Sequence, residues 1–443
     1  MTAGLWVAAE QADLWAARQQ MALSLGWHIV IACFGVGFPA LVVVAEAIGI
    51  RRSDADLLLL ARRWAKVLAV LFAVGAVSGT ILSFELGILW PGLMRTFGDV
   101  WGLPFAIEGI AFFVEAIFVG LYLYGWDRLP PRVHVLTGVP IVVAGVASAW
   151  FVVTANAWMN QPRGFDVERY LATGEVTDVD PWAAMFNPAT PPQTTHMVLA
   201  AFMVAGFGTA AVYAFALLRG RTDRYHRCGF GLAFTMAAVI TPVQIGVGDW
   251  AARFLAENQP VKLAALEGLN ETRRGAPLTV GGWYVDGEVR YGIKIPKGLS
   301  LLAHHDPDAE VKGLEIAPRD ERPPVAVVRT AFQLMVGVGL GLLVLSGWFA
   351  WVWWRRRRLP GSRWFLRAAV AAGPAAVVAL ECGWIATEVG RQPWIVYGVM
   401  RVEEAVTTAS GIRFGYYALV AVYAALTVAT IAVLRRLARA DRP

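Results

Sequence analysis

Nine stretches of this chain are apolar for long enough to cross the ~30 Å hydrocarbon layer of a bilayer, which takes about 20 helical residues each. They lie near 22–48, 65–84, 104–126, 133–157, 195–218, 229–248, 327–353, 365–388 and 413–434. With 57% hydrophobic and only 16% charged residues, the chain cannot be an ordinary soluble domain. The basic residues gather after every odd stretch: Arg51, Arg52, Arg62, Arg63 and Lys66, then Arg128 and Arg132, then Arg219, Arg221, Arg224 and Arg227. Arg355 to Arg358 follow the seventh, and Arg435, Arg436, Arg439 and Arg442 the ninth. Loops rich in arginine and lysine stay in the cytoplasm, so the N-terminus is expected outside and the C-terminus in the cytoplasm. The net charge of +6 therefore reflects membrane topology, and no nucleic-acid surface is expected. The expected fold is an all-α integral membrane protein with nine transmembrane helices.

The first twenty residues carry Glu10 and Asp13 and no basic start, so they do not read as a cleavable signal peptide. Cys33, Cys228 and Cys382 lie in or beside apolar runs without metal spacing and are expected as packed thiols. The even connections are acidic or long and should face outward. One runs from Met159 to Gln193, and the longest from Trp250 to Pro324. The domain reading is 1–248 for helices one to six, 249–326 for the outer loop and 327–443 for helices seven to nine. Within the loop, 260–269 has helical spacing, and 280–295 alternates like a hairpin around Asp286 and Gly287.

The stretch LECGWIATEVGRQPW at 380–394 ends the eighth apolar run with Glu381 and Glu388 inside it or at its edge. A carboxylate next to lipid costs several kcal/mol, so it signals a buried partner or a cofactor. Pro393 disfavours helical geometry at Gln392, which predicts a helix end near Gly390 and a rigid turn carrying Arg391. Two histidines belong to apolar runs, His28 and His196, whereas His134, His226, His304 and His305 are expected to be solvated. The bland reading of each lone histidine is a hydrogen-bonded structural residue. Met335 alone would be plain packing, and Glu108 with Glu115 a pair of inward carboxyls stabilising the bundle. Depth argues otherwise: His28, His196, Met335, Glu108 and Glu388 all fall toward the outer ends of their helices. Imidazole and thioether together can hold a six-coordinate haem that only passes electrons. Glu108 and Glu115, seven apart, share a helix face about 10 Å apart and could relay protons. Asp127 would be the mouth of that relay, or an interfacial charge near Arg128.

The motifs GRQPW at 390–394, AIEG at 106–109, GWDRL at 125–129, ANAWM at 155–159 and KLAALE at 262–267 resemble subunit I of cytochrome bd-type quinol oxidases. The likeness covers nearly the whole chain. It implies that Lys262 and Glu267 belong to a quinol-binding loop and that His196 and Met335 ligate haem b558. It implies further that His28 and Glu388 ligate two high-spin haems, b595 and d, without deciding which serves which. Glu108 would lie beside the oxygen-binding iron and Arg391 near the propionates, with Arg18, Asn156 and Trp394 also at family positions. The loop resembles the short form, and the seven-residue interval between Glu108 and Glu115 resembles the cyanide-insensitive branch. That likeness leaves open haem d or a further haem b at the oxygen site.

The resemblance implies a terminal oxidase subunit of the bacterial cytoplasmic membrane. It would oxidise ubiquinol or menaquinol at the outer face and reduce dioxygen to water, taking protons from the cytoplasm without pumping. It also implies a homologous subunit II and leaves room for a small single-helix subunit. Two other classes share some of these features: a haem protein that only relays electrons from quinone, and a proton-coupled transporter, which would show inverted repeats.

Overall fold

In the computed structural model, which describes residues 2–440 and the side chains of 14–439, the bundle consists of long helices joined by short connections and one long loop. Among the described residues, nine helices are long and apolar enough to span a membrane. They are α1 (Thr2–Arg52), α2 (Ala55–Leu89), α3 (Leu103–Gly125), α4 (Pro131–Asn160), α5 (Thr190–Leu218), α6 (Arg224–Asn258), α7 (Val325–Arg356), α8 (Arg363–Val389) and α9 (Ile412–Ala440). All nine expected spans are therefore present, several of them longer than their apolar runs. Helix α6 runs on to Asn258, past the boundary placed at 248. Glu10, Asp13 and Arg442 lie outside the described side chains.

Local chemistry starts and stops these helices. Asp54, Asp223 and Ser362 accept hydrogen bonds from the backbone N–H groups of Leu57, His226 and Phe365, satisfying donors that the first turn leaves free. Proline occupies the first turn of α4 and α5, where its missing N–H costs nothing. Helix α8 stops at Val389 with Gly390 as its cap, as the proline at 393 predicts. The arginine clusters meet at one end of the bundle. There Arg62 pairs with Asp127 at 2.5 Å, Arg224 with Asp54, and the Arg63 guanidinium lies over the Tyr225 ring at 5.0 Å.

The lipid-facing surface is apolar, and the few ionisable side chains of the spanning helices turn inward. On α3, Phe113, Ile117, Leu121 and Tyr124 are exposed on the outer face, while Glu115 and Tyr122 are buried. The central core packs α1, α2, α5, α6 and α8 through Val42, Leu60, Phe207, Phe234 and Phe365. Cys33 and Cys382 are buried free thiols and Cys228 a half-buried one.

One histidine departs from expectation. His134 is buried at 2% exposure, with Nδ1 2.6 Å from Glu46 Oε1 and Nε2 2.8 Å from the Tyr122 carbonyl. The same carboxylate accepts from the Tyr122 hydroxyl. Its place in the first turn of α4 suggests solvent, but a carboxylate on α1 and a carbonyl on α3 satisfy both ring nitrogens and permit burial. Of the others, His304 and His305 are exposed and His226 pairs with Asp223.

The long loop is built, not slack. The helix Pro260–Glu267 ends at Gly268, whose φ of +69° places it in the left-handed region that glycine tolerates. Strands Trp283–Val285 and Glu288–Arg290 pair across Asp286 and Gly287, as the alternation predicts, and a second pair, Leu278–Val280 with Ile293–Ile295, flanks them in the chain. Short helices missed by the sequence reading lie at Pro91–Trp101, Val167–Thr173, Pro181–Met185, Gly298–His304 and Val402–Ala405.

Candidate functional site

Contacts between helices set the depth of each candidate residue, since each residue advances a helix by about 1.5 Å. On α1, Gly37 meets the Ala201 carbonyl and the Ala205 methyl of α5, which runs the same way. Counting back nine residues from Gly37 places His28 near 192–196, the level of His196. On α8, Gly373 meets Ala211 of the oppositely running α5. Fifteen residues in each direction bring Glu388 beside His196 as well. Gly145 of α4 lies against the Gly35 carbonyl, and three residues on, Ser148 donates to Glu108 at 2.8 Å. Glu108 is thus about 6 Å deeper than His28. Met335 meets Gly383, five residues and about 8 Å along α8 from Glu388. Five side chains from five helices therefore occupy one band near the loop end.

The surroundings of these residues differ. The Ser78 hydroxyl lies 2.7 Å from His28 Nδ1 and within 3.1 Å of the carbonyls of Val74 and Gly75. A hydroxyl that gives its proton to a carbonyl accepts from Nδ1–H, which leaves the lone pair of His28 on Nε2. A Cβ on Gly79 would sit 3.3 Å from the His28 ring, and one on Gly248 3.5 Å from the His196 ring. On Gly383 it would be 2.9 Å from Met335 Sδ, so only glycine leaves that sulfur in place. His196 Nδ1 is buried without a hydrogen-bond partner.

Glu388 sits instead in a dense polar knot. Arg391 Nη2 lies 2.5 Å from Glu388 Oε2, and Asn156 Nδ2 donates to Glu388 Oε1. Arg391 is 3% exposed, yet its Nε and Nη1 have no partner, so two charged donors await an anion. Arg18 donates to Gln392, and the Arg401 guanidinium stacks over Trp394 at 5.3 Å. Glu108 and Glu115 both face α4, Glu108 through Ser148 and Glu115 against Gly145. Asp127 lies at the arginine end, 74% exposed and paired with Arg62 rather than Arg128.

Lys262 and Glu267, at opposite ends of the loop helix, are both buried. Lys262 Nζ donates to Asn160 Oδ1 at 3.0 Å, while Glu267 faces Arg329 of α7 and keeps Oε2 unpartnered. Burial pushes the Lys262 ammonium down to about 7, helped by Arg391 and opposed by Glu388. Burial lifts the Glu267 carboxyl to about 7 against the opposing pull of Arg329. Arg329, fully buried, donates to the Thr279 and Gly281 carbonyls and anchors the loop sheet on α7.

Sequence reasoning missed Glu46, Ser78, Ser148, Asn160 and Arg329. A usable signal was a polar residue one or two helical turns from a candidate on the same face. Asn160 stands four after Asn156, and the acids Glu381 and Glu388 repeat the interval of Glu108 and Glu115.

The chain matches the family model for cytochrome bd terminal oxidase subunit I over residues 16–442. It is 40% identical over 431 residues, 95% of this chain and 96% of the relative, to a Bacillus subtilis (strain 168) protein provisionally named cytochrome bd menaquinol oxidase subunit I. It is 32% identical to the cytochrome bd ubiquinol oxidase subunit 1 of the same strain, covering 93% and 90% of the two chains. The solved bd oxidase from Geobacillus thermodenitrificans superposes with a TM-score of 0.90 at 39% identity, covering 97% of this chain and 99% of that one.

A cytochrome carries haem, and the residues fit that group. His28 offers a lone pair fixed by Ser78, glycines leave room beside both imidazoles and the thioether, and Arg391 holds two buried donors for a carboxylate. These features and the match along nearly the whole chain agree: the protein belongs to the cytochrome bd terminal oxidase subunit I family, a multi-pass family of the bacterial cytoplasmic membrane.

Proposed function

We propose that this chain is the subunit that oxidises membrane quinol at the 249–326 loop and supports reduction of dioxygen to water at a two-haem site. The observation that carries this reading is the band near the loop end holding His28, His196, Met335, Glu108 and Glu388. His196 and Met335 would hold haem b558. His28 and Glu388 would hold haem b595 and haem d, or a further haem b, with Arg391 and Trp394 beside them. When bound, these groups would carry electrons from quinol to dioxygen.

The protein's own part is placement and proton handling. Ser78 fixes the tautomer of His28, and Asn156 and Arg391 hold both oxygens of Glu388. The loop helix presents Lys262 and Glu267, the residues proposed to serve ubiquinol or menaquinol, in a water-poor setting near the band. Glu115 and Glu108, stacked on one face of α3, carry protons from the arginine end toward the band, with Asp127 at the entrance. With the arginine loops in the cytoplasm and the long loop outside, quinol protons leave on one face and water-forming protons enter from the other. A proton gradient then arises without a pump. A homologous subunit II completes the assembly and leaves room for a small single-helix subunit.

The test is a carbon monoxide difference spectrum on the reduced, purified oxidase. A high-spin signal is expected. A coloured protein silent to carbon monoxide would leave only electron transfer, and a colourless one would favour a transporter.

A further inference from the structure

A continuous run of hydrogen bonds leads from the loop helix into the turn at the end of α8. Lys262 Nζ donates to Asn160 Oδ1 at 3.0 Å, and Asn160 Nδ2 donates to Asn156 Oδ1, also at 3.0 Å. Asn156 Nδ2 donates in turn to Glu388 Oε1, and Arg391 holds the other oxygen of that carboxylate at 2.5 Å. Each amide accepts on its oxygen and donates from its nitrogen, so both point the same way. The dipoles add along the chain. Gln259, the cap of the loop helix, donates at 2.6 Å to the Asn160 carbonyl, so two residues of this helix grip one asparagine. Lys262 is 3% exposed, and its stem lies under Gly390, where a Cβ would come within 3.1 Å of Lys262 Cε. The stem is thus threaded beneath the turn, and the ammonium is held at the Asn160 amide.

We propose that Lys262 is a positioning residue for Glu388, acting through Asn160 and Asn156, so that the quinol loop and the carboxylate proposed to face a high-spin haem form one connected unit. This rests on the reading of Glu388 as a haem ligand. It goes further in giving Lys262, beside the role proposed for it toward quinol, a task at the far end of the chain of amides. A side chain that keeps the stem but cannot donate should release Asn160, let Asn156 turn, and free one oxygen of Glu388.

The experiment uses the assembled oxidase carrying Lys262→Met, Asn160→Leu or Glu388→Ala. Haem content, reduced-minus-oxidised and carbon monoxide difference spectra, and quinol KM and kcat are measured on each. The expected result is that Lys262→Met and Asn160→Leu both shift or at least halve the high-spin band that Glu388→Ala removes. The low-spin band should stay unchanged, and Lys262→Arg, which retains a donor, should restore the high-spin band. The low-spin band also reports that a variant has folded. A rise in quinol KM for Lys262→Met with every haem band intact would overturn the proposal, as would a spectrally silent Asn160→Leu. If Glu388→Ala itself left all bands unchanged, the ligand reading would fall first, a result distinguishable from a broken chain of amides.

Discussion

The two groups of ligand candidates in this bundle are held in opposite ways. Around His196 and Met335 the contacts are apolar or glycine: Gly248 lies beside the imidazole, Gly383 beside the sulfur, Met335 packs in one cluster with Phe332 and Ile385, and His196 Nδ1 has no hydrogen-bond partner. Around Glu388 the neighbours are charged or strongly polar, with Arg391 and Asn156 on its two oxygens and Arg18 tied to the next turn through Gln392. A site that only exchanges electrons works best when nothing nearby gains or loses a proton. A site where oxygen becomes water needs groups that carry charge. Emptiness made by glycine suits the first task, and a braced carboxylate the second.

This contrast can be broken by experiment. The largest effect is expected from Met335→Leu, which should abolish the low-spin haem signal while shifting stability by less than about 1.5 kcal/mol, since the two side chains are close in volume. An unchanged reduced spectrum would remove Met335 from the site. Glu388→Gln should behave differently, losing its high-spin band and also stability. It leaves the buried Arg391 charge uncompensated, a change that costs about 3–5 kcal/mol where a buried pair is broken. Thermal unfolding of the two variants side by side reads the difference, and equal stability losses would erase the contrast between the two sites.

A smaller effect is expected at His28. Ser78→Ala removes the acceptor that fixes its tautomer, and loss of such a partner typically weakens ligand binding about 10–100-fold. Haem retention during dilution or chelator challenge measures it, and retention equal to wild type would count against the assigned tautomer.

The smallest effect concerns the loop. Glu267 has its folded pKa raised to about 7, so the folded loop holds a proton that the free one releases between about 4.5 and 7, and docking weakens as pH climbs through that window. Lys262 has its folded pKa depressed to about 7 from 10.5, so the unfolded state binds more protons above 7 and docking strengthens again toward 10.5. Limited proteolysis within 270–320, corrected against a peptide control, should therefore be fastest near pH 7. A monotonic profile would show that one of the two groups is not buried as described.

Much of the arrangement was legible because it is local or periodic. A seven-residue interval puts Glu108 and Glu115 on one face wherever that helix packs, and a proline at 393 ends α8 near Gly390 under any tertiary fold. The loop helix and hairpin were legible for the same reason. His134 was misjudged because its fate depends on Glu46, 88 positions away, which its own neighbourhood cannot reveal. The setting of Lys262 was hidden likewise: the periodicity of KLAALE fixes which residues share a face, but not that the face carrying Lys262 lies against Asn160.

By itself, then, the amino-acid sequence determined the number of spanning helices, the end of α8, the built character of the long loop and the family to which the chain belongs. Hydrophobic run length, capping and helical period act within a few turns of chain, and bilayer thickness does the rest. Only the tertiary structure decided which polar groups meet: Glu46 with His134, Glu267 with Arg329, and Lys262 with Glu388 through two asparagines. The rotation of each helix about its axis is set by packing against neighbours distant in sequence, and that rotation chooses the partner of every buried charge.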